Sequence, residues 1–259
     1  MFVLLTAGLI SFHDPRFAAS SDSIPNEPPV PNWVWLVSAV MHFLAHTLDG
    51  IDGKQARRTG SSGPLGELFD HGLDSWTSLF TPFCIYSLFG RADFSFPPFR
   101  VQFVVWSVFL TFYLSHWEKY NTGILYLPWI YDITQVALFI MYLLTFSYGY
   151  KFWKFTVPEV NLSSGSTFEI ITHVGTYMFA VPVAVYNVYI SSRAKSLKHK
   201  SFEEMMRPLL PLVSLFLLTL GWSYYSPADI INQQPRLFFL MTGTIFSNIA
   251  VRSLFYSTL

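Results

Sequence analysis

The sequence predicts an all-α integral membrane protein, a polytopic helix bundle forming one transmembrane domain over residues 1–259. Three observations carry this. Of the 259 residues, 52% are hydrophobic and 19% aromatic, and only 12% are charged, about half the charged share of soluble domains. Seven apolar segments come close to the ~20 residues that a helix needs to cross a bilayer. Trp33, Trp35, Trp117, Trp129, Trp153 and Trp222 sit near the ends of those segments, where interfacial aromatics are enriched. The net charge is zero, so no basic footprint points to nucleic acid. Cys84 is the single cysteine, which excludes an internal disulfide framework and a Cys-rich metal site.

Taken in order, residues 1–12 are apolar but short. They lack the basic start and the small-residue cleavage site of a signal peptide, and read as a truncated transmembrane helix. Residues 13–31 are polar and proline-containing, and read as a loop. The seven longer segments cover roughly 32–49, 72–90, 98–116, 129–149, 167–190, 208–225 and 236–257, the last running to Leu259 without a polar tail. Cys84 packs within one of them as a small apolar residue, and His46 and His173 read as polar glue between helices. With the polar 49–74 stretch placed inside, Lys54, Arg57, Arg58, Lys119, Arg193, Lys195, Lys198, Lys200 and Arg207 fall inside. Arg16, Arg91, Arg100, Lys151, Lys154 and Arg236 fall outside, so basic residues favour this orientation. The tripeptide Asn161-Leu-Ser163, a glycosylation sequon, then lies outside.

The stretch 49–74 is the most polar in the chain, and apolar segments flank it on both sides. Asp49 and Asp52 are three apart, and Asp70 and Asp74 four apart, so on helices each pair shares a face. Two such helices side by side bring four carboxylates into one small volume, where they repel one another. Divalent cations remove that repulsion, and hard oxygen ligands suit Mg²⁺ or Mn²⁺. The plain alternative, a solvated loop with acidic helix caps, leaves carboxylates beside lipid without a reason.

The residues Asp49-x-x-Asp52-Gly53-x-x-Ala56-Arg57, then Gly66, Asp70 and Asp74 at fixed offsets, resemble the signature of the CDP-alcohol phosphotransferases. Eight positions match without a gap, a chance on the order of 10⁻¹⁰ per start site at average composition. Gly-Lys-Gln-Ala-Arg-Arg-Thr and Gly-Glu-Leu-Phe-Asp-His-Gly-Leu-Asp-Ser-Trp around the signature resemble the eukaryotic ethanolamine- and cholinephosphotransferase branch. His116-Trp-Glu-Lys-Tyr-Asn-Thr-Gly-Ile-Leu resembles the ethanolamine enzymes most. Against that family, whose eukaryotic members are ten-pass, the chain is expected to be shortened at both ends.

The resemblance implies transfer of phosphoethanolamine, or phosphocholine, from CDP-ethanolamine or CDP-choline to diacylglycerol, with CMP as second product. It implies an enzyme of the endoplasmic reticulum or Golgi with its active site facing the cytoplasm. The residues fit such chemistry. Asp49, Asp52, Asp70 and Asp74 supply oxygens for two metal ions that clamp the attacking and leaving oxygens. Arg57 offers a fork of donors to a phosphate. Gly53, Gly66 and the small Ala56 leave room where a nucleotide presses on helix backbone. The acceptor hydroxyl must lose a proton, and two groups are candidates. By analogy with short prokaryotic relatives Asp74 is one. His71, about 100° round the helix from Asp70, is the other, with an imidazole that titrates near working pH. We read His71 as the base and Asp74 as a metal ligand. His42, two turns before Asp49 on the same face, stands where relatives carry asparagine and is a candidate nucleotide contact. Glu118, with Tyr120 and Asn121, is a candidate site for the ammonium head group.

Three other readings remain at this stage: a cholinephosphotransferase, a membrane transporter binding a cation in transit, and an inactive partial form of the enzyme. A transporter has no need of Ala56, Arg57 and Gly66 at fixed offsets, and Arg57 would oppose cation entry. The expected partners are the CDP-alcohol, diacylglycerol and the bilayer, with a homodimer as a further partner the reading admits.

Overall fold

The computed structural model describes residues 1–126, 130–199 and 201–258. The interfacial position read for Trp129, the inside position read for Lys200 and the final residue Leu259 lie outside the described residues. Among the described residues, eight helices of ten or more residues form the bundle. They are α1 (Phe2–His13), α2 (Asn32–Thr59), α3 (Pro64–Phe89), α4 (Pro98–Thr122), α5 (Ile130–Tyr148), α6 (Ser164–Arg193), α7 (Leu209–Tyr225) and α8 (Pro235–Thr258). One π-helical stretch, Gly175–Ala180, interrupts the α geometry inside α6. The short hairpin strands β1 (Thr156–Val157) and β2 (Leu162–Ser163) pair antiparallel, and Asn161 sits exposed in the turn between them.

The chain is an all-helical membrane protein. Helices α2, α6 and residues Pro235–Phe255 of α8 are long and apolar enough to cross a membrane, and α1 and α7 are shorter apolar helices. Large apolar side chains such as Met178, Phe179, Tyr186 and Leu218 lie more than half exposed on the flanks, as a lipid-facing surface requires.

The largest departure from the sequence reading is at the signature. Helix α2 does not end near residue 49 but continues to Thr59, and α3 begins at Pro64 instead of near 72. Twenty-eight residues make α2 about 42 Å long, against a hydrocarbon thickness of ~30 Å. Its polar end is therefore helical and projects beyond the apolar slab. Gly60 stops α2 in a left-handed conformation (φ 66°), which glycine adopts without a Cβ penalty. Pro64 then opens α3 at its first turn, where a missing N–H costs nothing. The signature thus lies on two helices joined by the short turn at residues 60–63.

Helix α8 packs on α3 through small residues. A Cβ on Gly243 would overlap the Leu79 side chain, and one on Gly72 would touch Val251. The Ser75 and Ser247 hydroxyls meet at 2.5 Å, and Phe109 of α4 stacks on Phe246 at 3.9 Å. Such close backbone approach is how helices associate in lipid, where no water drives them together. Helix α4 meets α6 through a polar ladder: Arg100 with Glu169, Ser107 with His173 Nδ1 at 2.8 Å, Thr111 with Thr176 at 3.2 Å, and Glu118 with Asn187 at 2.7 Å.

The two ends of the bundle differ. At one end, residues 14–23, 87–95, 149–154 and 232–236 are knitted together. Arg236 donates to the Asp14 carbonyl and to Ser87 Oγ, both at 2.6 Å. Asp93 accepts from Ser21 and Ser23, Lys154 donates to the Asp93 carbonyl, and Arg91 donates to the Asn232 carbonyl. The other end carries the signature. This matches the alternation of loops read from the sequence. Cys84 is buried and free, as expected. The tryptophans divide. Trp33 and Trp222 are exposed. Trp35 and Trp117 are buried, the first stacked on Tyr142 and the second donating to the Met205 carbonyl, so these two serve helix contacts instead of a lipid interface.

Candidate metal and active site

The turn at residues 60–63 returns the chain so that Asp49 on α2 comes near Asp70 and Asp74 on α3. One carboxylate oxygen from each of the three lies within 4.8 Å of the others. Oxygens that close, on half-buried side chains, can share a cation, and three negative charges with hard donors fit a divalent ion. Asp52 does not join this group. It is exposed, and its Oδ1 accepts from the Gly53 N–H, although it stays within electrostatic reach of Asp49 and Asp70. The four carboxylates expected from the sequence therefore divide into three that converge and one at the rim.

His71 borders the cluster. Its Nδ1 is 4.0 Å from Asp70 Oδ2 and 3.8 Å from Asp74 Oδ2, and its Nε2 is 3.8 Å from Glu67 Oε1. Lys119, from the end of α4, pairs with Glu67. The His116 ring of α4 meets the His71 ring edge-on, 5.1 Å between centroids. The sequence reading gave Glu67, Lys119 and His116 no role at the site. Glu67 was within reach, since it stands four residues before His71 and so on the same helix face. The other two depend on α4 docking against α3, which no local pattern announces.

Arg57 is exposed and lies over Gly53, where a Cβ would meet its Nη1 at 3.5 Å. Around Gly66 a Cβ would meet nothing within 4 Å. Ala56 is partly buried, and its carbonyl accepts the N–H of Gly60 and of Ser61 as α2 closes. The signature thus offers a cationic fork and open backbone beside the carboxylates.

Beside the cluster a narrow crevice of ≈ 50 Å³, partly open to solvent, runs between α1, α2, α3 and α5. Asp49 and Asp74 form its mouth, and His42, His46, Tyr131 and Gln135 line it further in. His42 is buried, with Nε2 3.2 Å from the Gln135 carbonyl and its ring against Tyr142. His46 Nε2 lies 3.9 Å from Asp132. Both histidines tie α2 to α5 while facing the crevice.

Glu118, Tyr120 and Asn121 are not brought to the carboxylates. Glu118 is buried and accepts from Asn187 of α6. Tyr120 stacks on His199 at 4.1 Å. Asn121 is buried, donates to the Trp117 carbonyl and accepts the Lys198 N–H through its own carbonyl. These three residues hold α4 to α6 and to the segment after it.

Comparison with known proteins gives a consistent picture. Residues 9–186 match the family described as CDP-alcohol phosphatidyltransferase. The chain is 42% identical over 249 residues to ethanolaminephosphotransferase 1 of Mus musculus, covering 96% of this chain and 62% of that protein. It is 42% identical over 248 residues to ethanolaminephosphotransferase 1 of Homo sapiens, with the same coverage. Cholinephosphotransferase 1 of Danio rerio is 32% identical over 225 residues, covering 85% of this chain and 57% of that protein. The chain thus spans about three-fifths of the length of these curated relatives.

Proposed function

The chain belongs to the CDP-alcohol phosphatidyltransferase family, and we propose that it transfers phosphoethanolamine from CDP-ethanolamine to diacylglycerol, giving phosphatidylethanolamine and CMP. The observation that carries the proposal is the convergence of Asp49, Asp70 and Asp74 within 4.8 Å inside the signature. The higher identity to relatives named for ethanolamine than to those named for choline supports the head group. Integral membrane placement follows from the helices. An endoplasmic reticulum or Golgi location with the signature end facing the cytoplasm fits the basic residues around that end, and a homodimer fits the lipid-facing flanks.

Asp49, Asp70 and Asp74 would hold two divalent cations, Mg²⁺ or Mn²⁺, with Asp52 completing the set from the rim. Bound there, such ions neutralise the charge of a diphosphate as its bridging bond breaks. Arg57 binds a phosphate of the donor with two parallel N–H bonds, and the open backbone at Gly53, Ala56 and Gly66 receives the nucleotide. His71 Nδ1 lies on the side of Asp70 and Asp74, and a proton held there would leave the lone pair on Nε2. Nε2 takes the proton of the acceptor hydroxyl as that oxygen attacks the phosphoethanolamine phosphorus. The bond from this phosphorus to the bridging oxygen breaks, and the electron pair leaves on CMP. Glu67, fixed by Lys119, stabilises the imidazolium that forms.

The experiment is CMP release from CDP-ethanolamine by purified protein with diacylglycerol and Mn²⁺, in competition with CDP-choline. Asp70→Asn and His71→Ala are each expected to abolish release. Full activity in either removes that residue's role, and preference for CDP-choline replaces the head group.

A further inference from the structure

His116 is 94% buried (6% exposed), and among the described residues neither of its ring nitrogens has a partner. A neutral imidazole carries one donor and one acceptor, and leaving either buried and unpaired is unfavourable. Phenylalanine would fill the same space between Phe112, 4.4 Å away, and His71, 5.1 Å away, with nothing left unpaired. The position is therefore built for a polar partner that arrives from outside the protein.

The geometry says which partner. The signature residues that face a nucleotide, Gly53, Ala56 and Arg57, belong to α2. Asp70 and Asp74 on α3 turn toward Asp49 of that helix. His71 is rotated about 100° from Asp70 and faces α4, where His116 meets it. A group held against His71 on its α4 side would lie beside His116, with an apolar wall, Phe112, one turn deeper. An acylated glycerol matches this surface, because it has one hydroxyl, ester carbonyls that accept hydrogen bonds, and apolar chains.

We propose that His116 is a substrate-contacting residue that hydrogen-bonds a glycerol or ester oxygen of the acceptor lipid as its hydroxyl lies against His71. This rests on the phosphotransfer reading above and adds the acceptor's contact to it.

The test is initial-rate kinetics of CMP release, varying diacylglycerol and CDP-ethanolamine separately, for wild type, His116→Phe and His116→Gln. Loss of one hydrogen bond to a neutral ligand is expected to raise the KM for diacylglycerol about tenfold in His116→Phe. His116→Gln keeps a donor and is expected to recover most of that loss. The KM for CDP-ethanolamine stays within about twofold in both variants, and the lipid-free melting temperature of His116→Phe does not fall, since the unpaired nitrogens are gone. An unchanged diacylglycerol KM in His116→Phe overturns the proposal and leaves the enzyme reading standing, with water as the partner of the ring. Equal losses in Phe and Gln variants, or parallel rises in both KM values, overturn it in favour of a packing role. A wild-type protein that releases no CMP removes the enzyme reading and this inference with it.

Discussion

Removing a carboxylate from the cluster is expected to stabilise the metal-free protein while abolishing its response to metal. Oxygens of Asp49, Asp70 and Asp74 lie within 4.8 Å of one another. At that distance a pair of unit charges repels by about 0.9 kcal/mol in bulk water and about 3.5 kcal/mol at an effective dielectric constant of 20. The carboxylates are only partly buried, so about 1–2 kcal/mol per pair is the working range. Asp70→Asn removes two of the three pairs and relieves about 2–4 kcal/mol. In a chain of this size 1 kcal/mol corresponds to about 2–4 °C in melting temperature, so the metal-free variant should melt several degrees above metal-free wild type. With Mn²⁺ added the order reverses: wild type gains stability by mass action, and the variant gains little. The assay is thermal unfolding in detergent at about pH 8 with chelator or with a Mn²⁺ titration. A metal-free Asp70→Asn that melts below wild type, or a variant with an undiminished Mn²⁺ response, refutes a shared cation site at these residues.

Three further outcomes follow from other parts of the molecule. Glu67→Gln removes the charge that faces His71 Nε2 at 3.8 Å; with partial screening this is expected to lower kcat about tenfold and leave the KM for CDP-ethanolamine within about twofold, and an unchanged kcat would take Glu67 out of the mechanism. Gly243→Leu drives a side chain into Leu79 and should cost at least about 1–3 kcal/mol, read as a fall in melting temperature, whereas a neutral result would mean that α3 and α8 do not pack as described. At the opposite end, burial lowers the Lys154 ammonium to about 8. Its folded value lies below the unfolded one, so the unfolded chain binds more protons between about pH 8 and 10.5 and stability should rise across that window. Lys154→Met should flatten the rise, and an identical slope in variant and wild type would assign it to other groups.

Much of the site was legible because its spacing is local. Asp70 and Asp74, four apart, share a helix face whatever else the chain does, and the flanking apolar segments forced them near a second acidic pair. Asp52 was harder: helix periodicity puts it beside Asp49 only approximately, and a three-residue step with its 60° offset leaves it at the rim. Hydropathy ended α2 too early and began α3 too late because it reports where lipid stops, and a helix can continue into water. Glu118 drew attention as a carboxylate beside aromatics, yet its partner Asn187 lies 69 residues away, a separation over which sequence pattern carries no signal. His116 and Lys119 were given no place at the site for the same reason. Their significance lies in which face of α4 meets α3.

Half of the signature stands clear of the bundle, with Lys54, Arg57, Arg58 and Gly66 exposed, while Asp74, His71 and the crevice behind them sink among the spanning helices. On the proposed reaction, the CDP-alcohol dissolves in water and the acylated glycerol in fat, so the two reagents would not share a phase. A reaction joining them can occur only where a protein straddles the boundary. For that reaction, the overlong α2 would supply the meeting point by carrying Asp49 and Asp52 to the edge of the lipid.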